Sequence, residues 1–258
     1  MEISGASAVV TGGASGIGEG VVRALAARGV KVVVADLNVE KGTALAAEVG
    51  GAFVEVNVTK TEQIEAAVEA ADALAPLRIL VNSAGIGWAQ RTIGRDGTYA
   101  SAHSLKAFQD VIAINLVGSF DAIRIAATAM SRHDALESGE RGSIVNMASV
   151  AAFDGQIGQA SYSASKGGIV SMTLPIARDL AATGIRVNTV APGLIDTPIY
   201  GEGEPAEAFK ANLAQNVLFP KRLGSASELA SMTVELLTNS FMNGEVVRVD
   251  GGARLPPK

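Results

Sequence analysis

The sequence predicts an α/β fold: one domain built on a parallel sheet with helices on both faces. Seven short runs rich in Val and Ile alternate with helix-length stretches, the order expected of strand–helix–strand crossovers. The runs are apolar throughout rather than alternating, as strands covered on both faces are. The 258 residues are 48% hydrophobic and only 18% charged, and no linker, low-complexity run or repeat divides them. That composition supports one large core rather than disorder or two small domains.

The first run, Ala8–Val10, leads into Thr11-Gly12-Gly13-Ala14-Ser15-Gly16-Ile17-Gly18 and then a helix-like stretch, Glu19–Arg28. A turn without side chains lets the backbone approach a pyrophosphate. The helix that follows offers free N–H groups and the positive end of its dipole. The spacing is G-x-x-x-G-x-G, and a tight turn with no ligand is the alternative reading. The second run, Val32–Ala35, ends at Asp36, eighteen residues after Gly18. A carboxylate there accepts hydrogen bonds from the adenosine ribose hydroxyls and repels a 2′-phosphate. Leu37, Asn38, Ala14 and Ser15 bring no cation, so NAD is expected over NADP; a plain turn Asp before a helix is the alternative.

A helix over Val39–Val49, a third run at Phe53–Val56, a helix over Glu62–Leu74 and a fourth run at Ile79–Val81 follow. The polar stretch Ile86–Ser104 then precedes a long helical pattern, Leu105–Met130, and the fifth run, Ile144–Met147. A helix over Tyr162–Leu180 contains Pro175, which removes one backbone hydrogen bond and should kink it. Beyond the sixth run, Val187–Val190, come the segment Gly201–Pro220, a helix over Ser227–Leu237 and the last run, Val246–Val249. The segments near 86–104 and 196–220 follow the C-terminal ends of strands, where open α/β sheets bind ligands, and are expected to act as substrate loops. Surface decoration is the alternative, and Trp88, the only Trp, either lines a pocket or simply packs.

Tyr162-Ser163-Ala164-Ser165-Lys166 places Tyr162 and Lys166 one helical turn apart on one face. A free phenol titrates near about 10 and is a poor base at neutral pH. A neighbouring ammonium favours the phenolate, which can then exchange a proton with a carbonyl or alcohol oxygen. Ser149, thirteen residues earlier and just past the fifth run, is placed to hold the same oxygen. One Tyr-x-x-x-Lys pair proves little; its weight comes from joining Ser149, the Gly-rich turn and Asp36.

The same residue inventory excludes other chemistries. With no Cys there is neither disulfide nor thiolate catalysis, and two His residues do not make a His-rich metal site. His103 and His133 make no triad case, and Ser163-x-x-Lys166 lacks the companion motifs of acyl-transfer serines. No metal is expected. Net charge is -5 with a pI of about 5.2, and no Lys/Arg cluster stands out, so neither nucleic acid nor an anionic membrane is the expected partner. The longest charge-free stretch, Ile3–Gly18, is broken by polar and Gly residues. No signal peptide fits before Ala8, and the expected location is the cytoplasm.

Taken together, Thr11–Gly18, Asn82-Ser83-Ala84-Gly85, Asn115, Ser149, Tyr162/Lys166 and Pro192-Gly193 resemble the short-chain dehydrogenase/reductase family over nearly the whole chain. The resemblance implies a Rossmann-type, doubly wound parallel sheet of seven strands in a single domain, 1–258, often assembled as a homotetramer. It implies Tyr162 as acid/base, Ser149 as polariser of the substrate oxygen, Lys166 as ribose ligand and tuner of the phenol, and Asn115 as part of a proton relay. It extends the NAD-binding set to Gly12, Ser15, Gly16, Ile17, Gly18, Asp36, Asn57, Val58, Asn82, Ser83, Ala84, Gly85, Tyr162, Lys166, Pro192, Gly193, Ile195 and Thr197. Thr197 is expected to reach the nicotinamide carboxamide. Two positions depart from the family pattern: Asn57 stands where Asp is common, and Ser83 where Asn is common.

Ala148–Gln159, the run Tyr162–Leu180 with Pro175, Ala191–Leu194, Phe219-Pro220, Arg222-Leu223-Gly224 and Asn243–Val246 further resemble the type II 3-hydroxyacyl-CoA dehydrogenase subgroup. That likeness implies interconversion of a short or 2-methyl-branched 3-hydroxyacyl-CoA with its 3-oxoacyl-CoA, with Gln159 joining Ser149 and Tyr162 on the substrate. Alternatives are a hydroxysteroid dehydrogenase or a 3-oxoacyl-carrier-protein reductase. A non-enzymatic alternative is a Rossmann scaffold or RNA-processing partner, against which the intact Ser149, Tyr162 and Lys166 weigh.

Overall fold

The computed structural model describes residues 1–198, 201 and 203–257. Seven strands, β1 (Ser7–Thr11), β2 (Lys31–Asp36), β3 (Ala52–Glu55), β4 (Leu77–Asn82), β5 (Gly142–Met147), β6 (Ile185–Pro192) and β7 (Val246–Val249), form one sheet in the order β3-β2-β1-β4-β5-β6-β7. Every pairing is parallel. Strands β1, β4, β5 and β6 are buried from end to end. That is why they read as unbroken apolar runs.

Helices α1 (Gly16–Ala26), α2 (Val39–Val49) and α8 (Ala226–Thr238) contribute to the core on one face, with Val10, Leu25, Val34, Val81 and Leu229. Helices α3 (Thr61–Leu74), α5 (Gly118–Met130) and α6 (Ala160–Ala181) contribute to the other, with Val9, Val33, Ile64, Leu80, Ile123 and Ile176. Neighbours such as Val9 and Val10 point to opposite faces, as the pleat requires. Each fully buried Val, Leu or Ile stabilises the fold by roughly 1.5–3 kcal/mol relative to exposure. Helix α6 runs unbroken through Pro175.

The predicted helix over Leu105–Met130 is three pieces: α4 (Leu105–Ile112), a π-helical turn Ala113–Val117, and α5. Within the stretch Tyr99–Met130 an 18-residue window reaches a mean hydropathy of 1.5, long and apolar enough by composition to cross a membrane. In the fold, α5 instead lays Ala122, Ile123, Ala126 and Met130 against the sheet. A short helix, α7 (Glu204–Ala214), lies within the 196–220 segment; positions 199, 200 and 202 of that segment fall outside the described residues.

Two buried polar features interrupt the apolar core. Thr11, Asn82, Asn146 and Thr189 stand in register across β1, β4, β5 and β6. Asn82 Nδ2 donates to Asn146 Oδ1 (2.9 Å) and to the Ser119 carbonyl (3.2 Å), and Thr189 pairs with Thr173 (2.7 Å). Elsewhere, Arg186 Nε donates to Glu140 Oε1 (2.7 Å), and its remaining nitrogens donate to the carbonyls of Leu236, Leu237 and Met242. Burial opposes ionisation of Glu140, but hydrogen bonds from Arg186, Ser240 and Ser138 outweigh it and hold the carboxyl at about 2.

Candidate active site

Strand order reverses between β1 and β4, so the loops leaving their C-terminal ends part to opposite sides and leave a crevice. A cleft of about 540 Å³ opens there. The Gly-rich turn forms one wall. Gly12 holds φ of +63°, and a Cβ on it would fall 2.7 Å from the Ala84 backbone, so only Gly lets the β1 and β4 loops touch. Ser15 is the N-cap of α1 and makes no side-chain cap hydrogen bond, which leaves the first N–H groups of the helix facing the cleft. Gly18 does not line the cleft. A Cβ there would lie 2.1 Å from the Gly12 carbonyl oxygen, so its task is close packing of α1 on the turn.

Asp36, at the end of β2, accepts from Ala14 N–H through Oδ2 (3.0 Å) and from Asn38 N–H through Oδ1 (2.9 Å). The carboxylate therefore braces the turn while it lines the cleft beside Leu37. Asn57 and Val58 also line the cleft. The Asn57 Oδ1 is occupied by Thr59 N–H and Oγ1–H. Ser83, Ala84 and Gly85 form the floor behind β4, while Asn82 is buried in the polar row of the sheet instead.

At the other end stand Ser149, Tyr162 and Lys166, with Pro192, Gly193, Ile195 and Thr197. Ser149 follows β5, and its Oγ accepts from Ala151 N–H (3.1 Å). Burial pushes the Tyr162 phenol above its ordinary value, and the neighbouring Ser149 hydroxyl opposes that. Lys166 Nζ lies 5.9 Å from the centre of the Tyr162 ring and donates to the Met147 carbonyl (2.8 Å). Burial lowers its pKa to about 8.

Two further anticipated site residues lie off the cleft wall, as Gly18 and Asn82 do. Asn115 is fully buried on the π-turn, and its amide is committed: Oδ1 accepts Ile86 N–H (2.8 Å), and Nδ2 donates to the Ile86 carbonyl (2.9 Å) and to Ser165 Oγ (3.0 Å). Its carbonyl accepts Ser119 Oγ–H (2.7 Å). The side chain clamps the start of the 86–104 segment to α6 with both of its N–H groups, while the backbone carbonyl keeps a second lone pair. Gln159 also stands off the cleft wall: its Oε1 accepts Gln156 N–H (3.0 Å), a local turn contact.

Sequence reasoning missed Leu37, Val56, Ile86, Gly87, Ile114, Met147, Ala148 and Pro198, which also line the cleft. They carry no functional group. Their only signal is adjacency to a strand end or to a residue already singled out.

The cleft fits a dinucleotide. Its volume lies in the range of cofactor sites. Free helix N–H groups at Ser15–Ile17 suit a pyrophosphate, and a carboxylate lies at one end with an acid/base pair at the other. No group of three or more His, Asp or Glu side chains suited to a metal occurs among the described residues.

A seven-stranded parallel sheet with this cleft and a Ser–Tyr–Lys end defines a Rossmann-type oxidoreductase acting on CH–OH donors. The chain belongs to the short-chain dehydrogenase/reductase family: a family model described as short chain dehydrogenase matches residues 6–208. It is 46% identical to 3-hydroxyacyl-CoA dehydrogenase type-2 of Drosophila melanogaster, over 99% of this chain and 100% of that one. The crystal structure of 3-hydroxyacyl-CoA dehydrogenase type-2 from Mycobacterium avium superposes with a TM-score of 0.94 at 46% identity, covering 98% of both chains. A 3-alpha-(or 20-beta)-hydroxysteroid dehydrogenase of Mycobacterium bovis is 36% identical over 96% of this chain and 89% of that one.

Proposed function

We propose that the protein interconverts 3-hydroxyacyl-CoA and 3-oxoacyl-CoA thioesters of short or 2-methyl-branched acyl chains with NAD. The observation that carries this reading is one cleft with Asp36 at one end and Ser149, Tyr162 and Lys166 at the other, in a chain similar over its full length to type-2 3-hydroxyacyl-CoA dehydrogenases.

NAD, when bound, supplies the hydride acceptor. Gly12, Ser15, Gly16 and Ile17 offer backbone to its pyrophosphate, and Asp36 accepts its ribose hydroxyls and repels a 2′-phosphate. Asn57, Val58 and Ser83–Gly85 would lie along its adenine side, with Pro192, Gly193, Ile195 and Thr197 at the nicotinamide. In the oxidative direction Tyr162 takes the hydroxyl proton of the substrate while Ser149 Oγ–H steadies the developing oxygen charge. Alone, the phenol is held neutral by burial, so the Lys166 ammonium is needed to favour the phenolate. Asn115 holds Ile86 and Ser165, and so the ground on which Tyr162 and Lys166 stand. In this reading the loops near 86–104 and 196–220 shape the acyl pocket, and the enzyme works as a homotetramer in the cytoplasm.

A hydroxysteroid substrate is the second reading, favoured by the steroid-named relative at 36% identity. The test mixes the purified protein with NADH and acetoacetyl-CoA, and in parallel with a steroid ketone and an acyl-carrier-protein thioester, each repeated with NADPH. Turnover of acetoacetyl-CoA with NADH alone is expected. Activity on the steroid ketone with none on thioesters would sink the acyl-CoA assignment and keep the Tyr162 chemistry.

A further inference from the structure

The chain between Ser149 and Tyr162 sets the distance between the two groups that meet the substrate oxygen, yet it has little structure of its own. Only the short 3-10 turn Val150–Ala152 and the first residues of α6 are regular, and residues 153–159 lie between them. Such a segment must be held from outside.

Its tethers come largely from the C-terminal end of the chain. Arg248, on β7, donates from Nη2 to Asp154 Oδ2 (2.7 Å) and to the Ala253 carbonyl (2.9 Å), and from Nε to Asp250 Oδ2 (2.7 Å). Its guanidinium lies 5.3 Å from the centre of the Phe153 ring. Gln156 Nε2 donates to the Pro256 carbonyl (3.0 Å), and Ile157 N–H donates to the Pro257 carbonyl (3.0 Å). On the opposite side Gln90 N–H donates to the Gly158 carbonyl (2.9 Å), so the 86–104 segment holds the same loop. Gly155 presses on Ser163, the neighbour of Tyr162; a Cβ there would lie 2.5 Å from Ser163 Oγ.

We infer that Arg248 and residues 253–257 form a positioning strap that holds the 153–159 loop, and through it the spacing of Ser149 and Tyr162. None of its residues lines the cleft. Arg248 is the right residue for the junction because one planar fork reaches a carboxylate on each side and a carbonyl beyond; a Lys reaches one of them at a time. The inference rests on the oxidoreductase reading of Ser149 and Tyr162.

Three variants test it: a chain ended after Gly252, Arg248→Met and Asp154→Asn, with Arg248→Lys as the conservative partner. The first readout is amide hydrogen exchange of the 150–159 segment, which needs no substrate. It is expected to rise by about tenfold or more in the shortened chain and in Arg248→Met, as local opening becomes easier. The second is turnover, read on whichever ketone the wild-type enzyme reduces. A misplaced catalytic pair is expected to lower kcat by roughly 10- to 100-fold. NADH affinity, measured by fluorescence, is expected to stay within about twofold, because the Gly-rich turn and Asp36 lie at the far end of the cleft. Arg248→Lys is expected to restore part of both losses. If the shortened chain does not fold, Arg248→Met and Asp154→Asn decide alone. Unchanged exchange in the folded variants, or raised exchange with unchanged kcat, overturns the strap. Failure of the wild-type enzyme on acetoacetyl-CoA speaks only against the acyl-CoA reading, because the ratio of variant to wild type on another ketone still judges the strap.

Discussion

The Asp36 carboxylate accepts a 3.0 Å hydrogen bond from the backbone amide of Ala14. The residue expected to choose between NAD and NADP is thus also a brace for the turn that faces the pyrophosphate. Its two tasks separate by substitution. Asp36→Asn keeps an oxygen for Ala14 N–H and removes the charge, so the penalty against NADPH should fall by roughly tenfold or more, about 1.4 kcal/mol. NADH affinity should fall in part, because one side-chain oxygen of the two is lost as an acceptor. Asp36→Ala removes both oxygens, and NADH affinity should fall further. Titration of cofactor fluorescence with each variant checks the split.

In the proposed reading, Tyr162→Phe removes the group that exchanges the substrate's hydroxyl proton. Turnover should drop by about 10²–10⁴, the scale of a lost general acid/base, while NADH still binds. Ser149→Ala should lower kcat and leave the cofactor Kd unchanged. A Tyr162→Phe protein with normal turnover would end the proposed chemistry.

Lys166 carries a pH signature of opposite sense to a surface ion pair. Burial lowers its pKa to about 8, against the ordinary 10.5. Below about 8 the fold holds a buried ammonium at a cost. Between about 8 and 10.5 the unfolded chain binds more protons than the folded one, so stability rises with pH. Relative to Lys166→Met, the wild-type chain should gain on the order of 3 kcal/mol across that window. Parallel melts of the two ligand-free proteins at stepped pH read the difference. Activity should move the other way, because the neutral amine no longer supports the phenolate.

Glu140 and Arg186 give an acid limb. The Glu140 carboxyl sits at about 2, below its ordinary value of 4.5, so its stabilisation is complete above about 4.5 and is lost as pH falls toward about 2. Glu140→Gln strands part of a buried guanidinium and should cost about 3–5 kcal/mol. Thermal or urea melts at neutral pH should show the loss, with activity per folded molecule unchanged.

The readable part of this protein is the part where a residue type has one job. Val and Ile runs gave away all seven strands because both faces are covered. Asp36, the Gly-rich turn and Tyr162/Lys166 carry functional groups at spacings few other structures need. Asn115 was legible as a participant but not as a clamp, because an amide suits a relay and a clamp equally; the π-turn that buries it has no pattern of its own in Leu105–Met130. Gln159 is ambiguous for the same reason, since one amide serves substrate or turn. The cleft's apolar wall, from Leu37 to Pro198, was invisible because it offers shape rather than chemistry.

The row Thr11–Asn82–Asn146–Thr189 also works as an alignment gauge during folding. In a sheet of Val and Ile, sliding a strand by two residues keeps every side chain on its proper face and still meets an apolar neighbour. The same slide of β4 along β5 would bring Asn82 opposite Ile144 instead of Asn146. A buried amide left without its partner costs about 1–3 kcal/mol. Misthreaded strands are thus penalised at a level of the sheet that hydrophobic burial cannot read, and that level is the edge from which the catalytic loops depart.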